Sequence, residues 1–378
     1  MNKIGILGST GSIGRKALDL TKANGSDFEL IFISCNRNVT LLKEQSAFYK
    51  PKYAILTGVE IGSKIDDNIL SGWGCVLEII KNVEIDFLFV ASSGVDCIYA
   101  IYEALTRGIK IASANKETIV IAGDILCKLA RNKGIPFIPV DSEHSGIFQC
   151  LMGQKKEDIK NITLTASGGP FLYKSIEEFH NITVEEALQH PVWQMGGKIT
   201  IDSATMMNKG FELIEAHYLF DISPCKLDTI IHPQSVIHAI VSFIDGSSIA
   251  QLSIPDMIIP ISFALHYPVR KKIDNYFLNL AELKELTFME MDYNKFPLIK
   301  IIKEVLSKGY NSYIVAIEVA NEISVSAFLK KEISFTTIEY VIKRILDIIK
   351  PLKLCTINDI LLFRDEIATN TIKLIRGI

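Results

Sequence analysis

Charge of one sign is what the sequence has least of. Forty Lys and Arg stand against 43 Asp and Glu, leaving a net charge of −3. There is therefore no basic footprint for gripping nucleic acid. Long apolar runs are also missing: no uninterrupted stretch approaches the roughly 18 residues of a membrane span, so a soluble protein with no membrane partner is expected. Met1 to Gly8 lead straight into a strand and a glycine turn, without the charged stretch, apolar stretch and cleavage site of a secretion signal. The seven cysteines (Cys35, Cys75, Cys97, Cys127, Cys150, Cys225 and Cys355) are odd in number, scattered, and never spaced Cys-x-x-Cys. That pattern argues against a disulfide framework and points to reduced thiols in a cytoplasm. Internal repeats and low-complexity tracts are absent as well.

What is present is a chain of 378 residues, 48% of them apolar, long enough for two or three domains. Over residues 1–140, short apolar runs alternate with amphipathic stretches, the pattern of an α/β doubly wound, Rossmann-like parallel sheet. Strands are predicted at Lys3–Leu7, Glu29–Ser34, Tyr53–Thr57, Asp86–Val90, Lys110–Ala114 and Pro136–Val140, with helices between them, for example at Arg15–Lys22, Val95–Arg107 and Thr118–Lys133. Residues 141–270 change texture, with glycine clusters and short strands at Ile159–Thr165 and Ser247–Ser253, and read as a central α/β catalytic domain with a lid loop. A linker is expected over 271–299. A C-terminal helical bundle is expected over 300–378, with helices near Leu298–Ser307, Ile314–Leu329, Thr337–Ile349 and Asn358–Ile375.

Gly8-Ser-Thr10-Gly11-Ser12-Ile13-Gly14 follows the first strand and opens the first helix, the context of a phosphate-binding turn. Glycines let backbone approach a pyrophosphate, and N–H groups at the helix start face its charge. A tight strand-to-helix turn also needs glycine without any ligand. After the second strand, where an NAD site carries an acid for the ribose, the chain reads Cys35-Asn36-Arg37-Asn38. An arginine there suits the 2′-phosphate of NADPH, the alternative being an ordinary solvated cation.

Asp141-Ser142-Glu143-His144 follows the last strand of this domain, at the edge where α/β sheets place ligands. In an extended segment, carboxylates at i and i+2 would point the same way and call for a cation. The competing reading is an Asp helix cap with a solvated Glu. A third acid comes from Asp202-Ser203-Ala-Thr-Met-Met-Asn208-Lys209-Gly-Phe-Glu212-Leu-Ile-Glu215, where Asn208 and Glu212 share a helical face. Asp141, Glu143 and Glu212 form an all-oxygen set suited to Mg²⁺ or Mn²⁺, with Co²⁺ a further candidate, rather than to zinc. Asn115-Lys116-Glu117 sits past another strand end, and Lys116 could neutralise developing negative charge or simply begin a helix. Ser167 and Ser203, with Asn208 and Lys209, would make a phosphate pocket. The loop His190-Pro-Val-Trp193-Gln-Met195-Gly196 carries an aromatic too large to be left wet, so Trp193 joins a core or closes over a ligand.

Taken in order, GSTGSIG (8–14), ANKE (114–117), VDSEH (140–144), ASGGPF (166–171), HPVWQMG (190–196), DSATMMNKGFELIEA (202–216) and HPQSVIH (232–238) resemble the 1-deoxy-D-xylulose 5-phosphate reductoisomerase family. The resemblance implies an NADPH-dependent, metal-assisted oxidoreductase and isomerase acting on a sugar phosphate, and a homodimer. By it, Asp141, Glu143 and Glu212 are metal ligands, and Lys116, Ser142, Glu143 and Glu212 contact the ketose. Ser167, Ser203, Asn208 and Lys209 take its phosphate, and His190, Trp193 and Met195 belong to the lid. Gly8, Thr10, Gly11, Ser12, Ile13, Asn36, Arg37, Asn38, Asn115, Glu117 and Gly196 line the NADPH site, and His238 supports from behind. Asn36 departs from the glycine that family members often carry, and because asparagine tolerates a left-handed backbone the turn is expected to survive. A metal-independent NADPH dehydrogenase and a nonenzymatic NADP-binding sensor are the competing readings.

Overall fold

A computed structural model describes residues 1–63, 68–193 and 195–378. Gln194, inside the HPVWQMG stretch, lies outside the described residues. The chain divides into two compact units, one of 1–119, 123–145 and 256–276, the other of 120–122, 146–255 and 277–378.

In the first unit the strands are β1 (Asn2–Leu7), β2 (Phe28–Cys35), β3 (Tyr53–Leu56), β4 (Ile69–Ser71), β5 (Phe87–Val90), β6 (Lys110–Ser113) and β7 (Phe137–Pro139). They form one parallel sheet in the order β4-β3-β2-β1-β5-β6-β7. β5, at Phe-Leu-Phe-Val, is buried along its whole length, as a strand covered on both faces must be. Ile4, Ile6, Ile33 and Phe89 form the core together with Leu18 of the Ser12–Ala23 helix. Chain order reverses between β1 and β5, and that switch point is where doubly wound sheets open a crevice for a ligand.

Every expected strand of this sheet is present, with no end shifted by more than one residue. β4 was not expected, while the helices Val39–Tyr49 and Trp73–Asn82 fill places between strands where helices were expected without bounds of their own. β4 is three residues long, too short for a period to show, and Val39–Tyr49 has a weakly amphipathic sequence that buries only Leu42 and Gln45.

The second unit holds a four-stranded sheet of β8 (Ile159–Ala166), β9 (Leu227–Ile231), β10 (Ile237–Phe243) and β11 (Ser248–Leu252), in the order β11-β10-β8-β9. β8 runs parallel to β9 and antiparallel to β10. Its helices include Gly197–Ala204, Met207–Phe220, Pro297–Lys308, Asn311–Leu329, Phe335–Ile348 and Ile357–Arg376.

The expected division at 140, 270 and 300 is corrected in two respects. Residues 256–276 return to the first unit because the Ile258–His266 helix buries Ile261, Ala264 and Leu265 in its core, and Lys16 pairs with Asp256 at 2.6 Å. The C-terminal helices are not a separate bundle. Phe335 packs edge-on to Phe171 and Phe179 at 5.4 and 5.9 Å, so helix and loop share one aromatic core.

The expectation of no membrane-length apolar run also needs amending, since Asn311–Leu329 is long and apolar enough by composition. Yet 72% of its apolar window is buried, and Glu318 and Asn321 are among the buried residues, as in the core helix of a packed domain.

The glycine turn separates two demands. Gly8 has φ +80°, and a Cβ there would meet Ser92 N at 2.4 Å, so the fold itself requires glycine. Gly11 has φ −72°, and a Cβ would meet nothing closer than 3.5 Å. Gly8→Ala should therefore cost roughly 1–3 kcal/mol in urea unfolding, and Gly11→Ala less than about 0.5 kcal/mol. If Gly11→Ala also leaves NADPH affinity unchanged, Gly11 serves neither fold nor ligand.

Candidate functional site

At the switch point of the first unit, Gly11 caps the Ser12–Ala23 helix, and Gly14 lies so close to the turn that a Cβ would stand 2.2 Å from Gly8 O. Free N–H groups at this helix start give an anion-binding end. Asn36, Arg37 and Asn38 are exposed just past β2, and the Asn38 side chain caps the next helix by accepting from Leu41 N at 3.1 Å. Asn36 is not among the non-glycine residues with positive φ, so the chain passes here without the left-handed backbone that asparagine tolerates.

Asn115 is buried, and its side chain is fully committed to the fold. Its Oδ1 accepts from Thr118 N at 2.8 Å, capping the Lys116–Lys133 helix, while Nδ2 donates to Ser92 O and Gly94 O, both at 2.7 Å. The amide thus ties the loop after β5 to the loop after β6.

β6 and β7 are neighbours, so the residues that follow them emerge side by side. Lys116 Nζ lies 3.1 Å from Asp141 Oδ2. Asp141 and Glu143 are not an extended pair, which corrects the expected geometry: a helix runs from Ser142 to Cys150, and Asp141 caps it. Its Oδ1 accepts from Glu143 N at 3.1 Å and His144 N at 3.4 Å, and lies 3.0 Å from His144 Nδ1. The capping reading was right about the backbone, but it does not make the pair solvated. Asp141 and Glu143 are half-buried, and Ser142 donates to Glu143 Oε2 at 2.9 Å.

In the second unit, the Met207–Phe220 helix begins after Met206, which has φ 61°, and it turns Asn208, Lys209 and Glu212 onto one face. Glu212 is 1% exposed; Asn208 Nδ2 donates to its Oε1 at 2.5 Å and Lys209 Nζ to its Oε2. A carboxylate this buried needs such partners to stay charged.

Ser167 follows β8, and the turn after it passes close to Ser203. Gly169 has φ +65°, and a Cβ there would stand 2.9 Å from Ser203 O. The two serine turns expected to serve one pocket are therefore neighbours. Beside them lies a cavity of about 380 Å³ whose walls include Ser167, Gly169, Lys174, Glu186 and Pro191.

His190 orders both the serine turn and the lid. Its Nδ1 accepts from Val192 N at 3.1 Å and Trp193 N at 2.9 Å, so the ring proton sits on Nε2, which donates to Ser167 Oγ at 3.2 Å. Gly169 N also donates to that oxygen, at 3.2 Å. With both bonds accepted, the Ser167 hydroxyl keeps its own proton to offer an anionic ligand. Burial holds the His190 pKa down at about 4. Trp193 is half-buried rather than in a core, its ring 6.5 Å from that of His238. Met195 is half-buried and Gly196, exposed, caps the Gly197–Ala204 helix.

A doubly wound domain with a glycine turn at its switch point, carboxylates and a lysine after neighbouring strands, and two adjacent serine turns fits one class, the nucleotide-dependent α/β oxidoreductases. Within that class the comparisons are specific. Residues 4–123 match the family model of 1-deoxy-D-xylulose 5-phosphate reductoisomerase, and 137–220 and 252–369 match its two C-terminal domain models. The 1-deoxy-D-xylulose 5-phosphate reductoisomerase of Caldanaerobacter subterraneus subsp. tengcongensis is 44% identical over 368 residues, 96% of each chain. The Zymomonas mobilis reductoisomerase solved with NADPH superposes with a TM-score of 0.92 at 34% identity, covering 100% of both chains. A DOX-P reductoisomerase solved with NADPH, fosmidomycin and magnesium gives 0.92 at 34%, covering 100% of this chain and 98% of that one. The chain belongs to the 1-deoxy-D-xylulose 5-phosphate reductoisomerase family.

Two contacts had no counterpart in the sequence reading. His232 N donates to Ala166 O at 2.7 Å, just before Ser167, while its Nδ1 is 2.8 Å from Thr287 O. Asp202 accepts from Asn321 at 2.7 Å across 119 residues of chain. The His-Pro-Gln-Ser turn gave a weak signal for the first; nothing local signals the second.

His190 provides a pH test. Its folded pKa lies below the ordinary value of 6.5, so the unfolded chain binds the extra proton between about 6.5 and about 4. The stability from its neutral form is complete above 6.5 and lost as pH falls toward 4. NMR titration should place the imidazole midpoint near 4, and His190→Gln should flatten stability across that window. A midpoint near 6.5 would contradict the bonding described.

Proposed function

We infer that this chain converts 1-deoxy-D-xylulose 5-phosphate to 2-C-methyl-D-erythritol 4-phosphate with NADPH as reductant and a divalent metal as cofactor. The observation that carries this is identity of 44% along 96% of the chain with a curated reductoisomerase. The residue assignments are part of the proposal. The nucleotide would lie with its pyrophosphate on the Gly8–Ile13 turn and its 2′-phosphate by Arg37, lined further by Asn36, Asn38, Asn115, Glu117 and Gly196.

Asp141, Glu143 and Glu212 would hold the metal. Their donors are all carboxylate oxygens, a hard set that fits Mg²⁺ or Mn²⁺. When bound, the ion supplies Lewis-acid charge for a carbon-bond rearrangement, and NADPH supplies hydride.

The chain's own residues do the rest. Lys116, held at the sheet edge by Asp141, brings a positive charge to oxygen that becomes anionic as the C3–C4 bond breaks. Ser142 orients the ketose hydroxyls. Ser167, whose proton His190 directs outward, takes the phosphate together with Ser203, Asn208 and Lys209. Holding that phosphate keeps the two-carbon aldehyde fragment that carries it in place for recombination, while Lys116 and Ser142 hold the three-carbon fragment. Trp193 and Met195, in the loop that His190 shapes, exclude water during it. A homodimer acting in the cytoplasm is the assembly this reading carries, and seven free cysteines fit it.

The test is NADPH oxidation with purified protein and the ketose phosphate. Turnover should require Mg²⁺ or Mn²⁺, vanish with chelator, and fall by about 100-fold or more in Glu212→Gln. Metal-independent turnover would restore the plain dehydrogenase, and NADPH binding without consumption would restore the sensor.

A further inference from the structure

Asn321 lies in the middle of the Asn311–Leu329 helix, far in sequence from every residue given a role above, and is 0% exposed. Its Nδ2 donates to Asp202 Oδ1 at 2.7 Å. The amide cannot be turned round, because a carboxylate only accepts. Asp202 is 3% exposed, and its other oxygen takes Lys198 Nζ at 3.0 Å. Asn321 Oδ1 has no hydrogen-bond partner among the described residues. A buried amide with an acceptor left over is a costly way to fill space, and an apolar side chain of that size would avoid the cost. What an apolar side chain would not supply is the donor to Asp202.

Asp202 immediately precedes Ser203 near the end of the Gly197–Ala204 helix. Its carbonyl accepts from Thr205 Oγ1 at 3.2 Å, and Ser203 O accepts from Met206 N at 3.1 Å, leading into the helix of Asn208 and Lys209. On the other side, Gly169 brings the Ser167 turn against Ser203 O. A shift at Asp202 therefore bears directly on Ser203, and through Ser203 on the Ser167 turn packed against its carbonyl and on the start of the helix that carries Asn208 and Lys209.

We propose that Asn321 is a positioning residue for the substrate's phosphate, acting through Asp202 to fix Ser203 and the turns packed on it; this rests on the phosphate pocket of the reading above. The C-terminal helices then do more than brace the second unit: one buried amide among them sets the geometry of phosphate capture.

The test compares Asn321→Leu, which keeps the volume, with the exchange Asn321→Asp plus Asp202→Asn, which rebuilds the bond with donor and acceptor swapped. Asn321→Leu should raise KM for 1-deoxy-D-xylulose 5-phosphate by about tenfold, with kcat within about threefold of wild type. Inorganic phosphate should weaken as a competitive inhibitor in parallel. The exchange should return KM to within about threefold of wild type. A fall in Tm with KM unchanged overturns the proposal, as does an exchange variant that folds but keeps the high KM. If Asn321→Leu does not fold, Asn321→Ser takes its place under the same criteria. Absence of turnover in the wild type itself would instead sink the function on which the proposal rests, which separates the two failures.

Discussion

The carboxylate of Asp141 meets three demands at once, and the sheet edge that carries the proposed catalytic residues of the first unit hangs on how it satisfies them. One oxygen caps the Ser142–Cys150 helix and holds His144; the other holds Lys116 across the neighbouring strand. A half-buried charge with several committed partners is rigid, because breaking any one leaves the others under-compensated. That rigidity fixes Glu143 in the first turn of the helix and Lys116 at the start of another. The parallel sheet makes it possible, since β6 and β7 end side by side and deliver their following residues to the same edge.

The second unit solves a different problem by the same means. Its pocket consists of turns, which are soft unless tied, and each is tied by a group outside it. His190 bonds Ser167, His232 bonds the carbonyl before Ser167, and Asn321 bonds the residue before Ser203. The neutral imidazole of His190 takes lid amides on one nitrogen and gives its proton to Ser167 on the other. Lid conformation and the direction of the serine hydroxyl are thereby one variable rather than two. Substrate phosphate bound at Ser167 would favour the lid arrangement that presents it, a population shift that needs no new contact in the lid.

How much of this was legible in the sequence follows from how local each feature is. The strands of the nucleotide domain and the Gly8–Gly14 turn read directly, because burial on both faces and positive φ leave marks at single positions. The acids, the lysine and the serines were legible as motifs, and the family resemblance gave them roles. Asp141's geometry was misjudged because an aspartate before a helix and one in an extended segment look alike until the next turn closes. β4 escaped for want of length, and the Val39–Tyr49 helix went without bounds for want of periodicity. The domain boundaries and the Asn321–Asp202 bond depend on residues more than 100 positions apart meeting in space, and no local pattern records that.

The proposed reaction is a rearrangement coupled to reduction, not reduction alone. The most direct measurement is the carbon skeleton of the product, by ¹³C NMR of the ketose phosphate incubated with the protein, NADPH and Mg²⁺. A branched tetritol phosphate carrying a methyl group on a quaternary carbon is the predicted result. A straight-chain polyol phosphate would contradict it, leaving a dehydrogenase on the same fold.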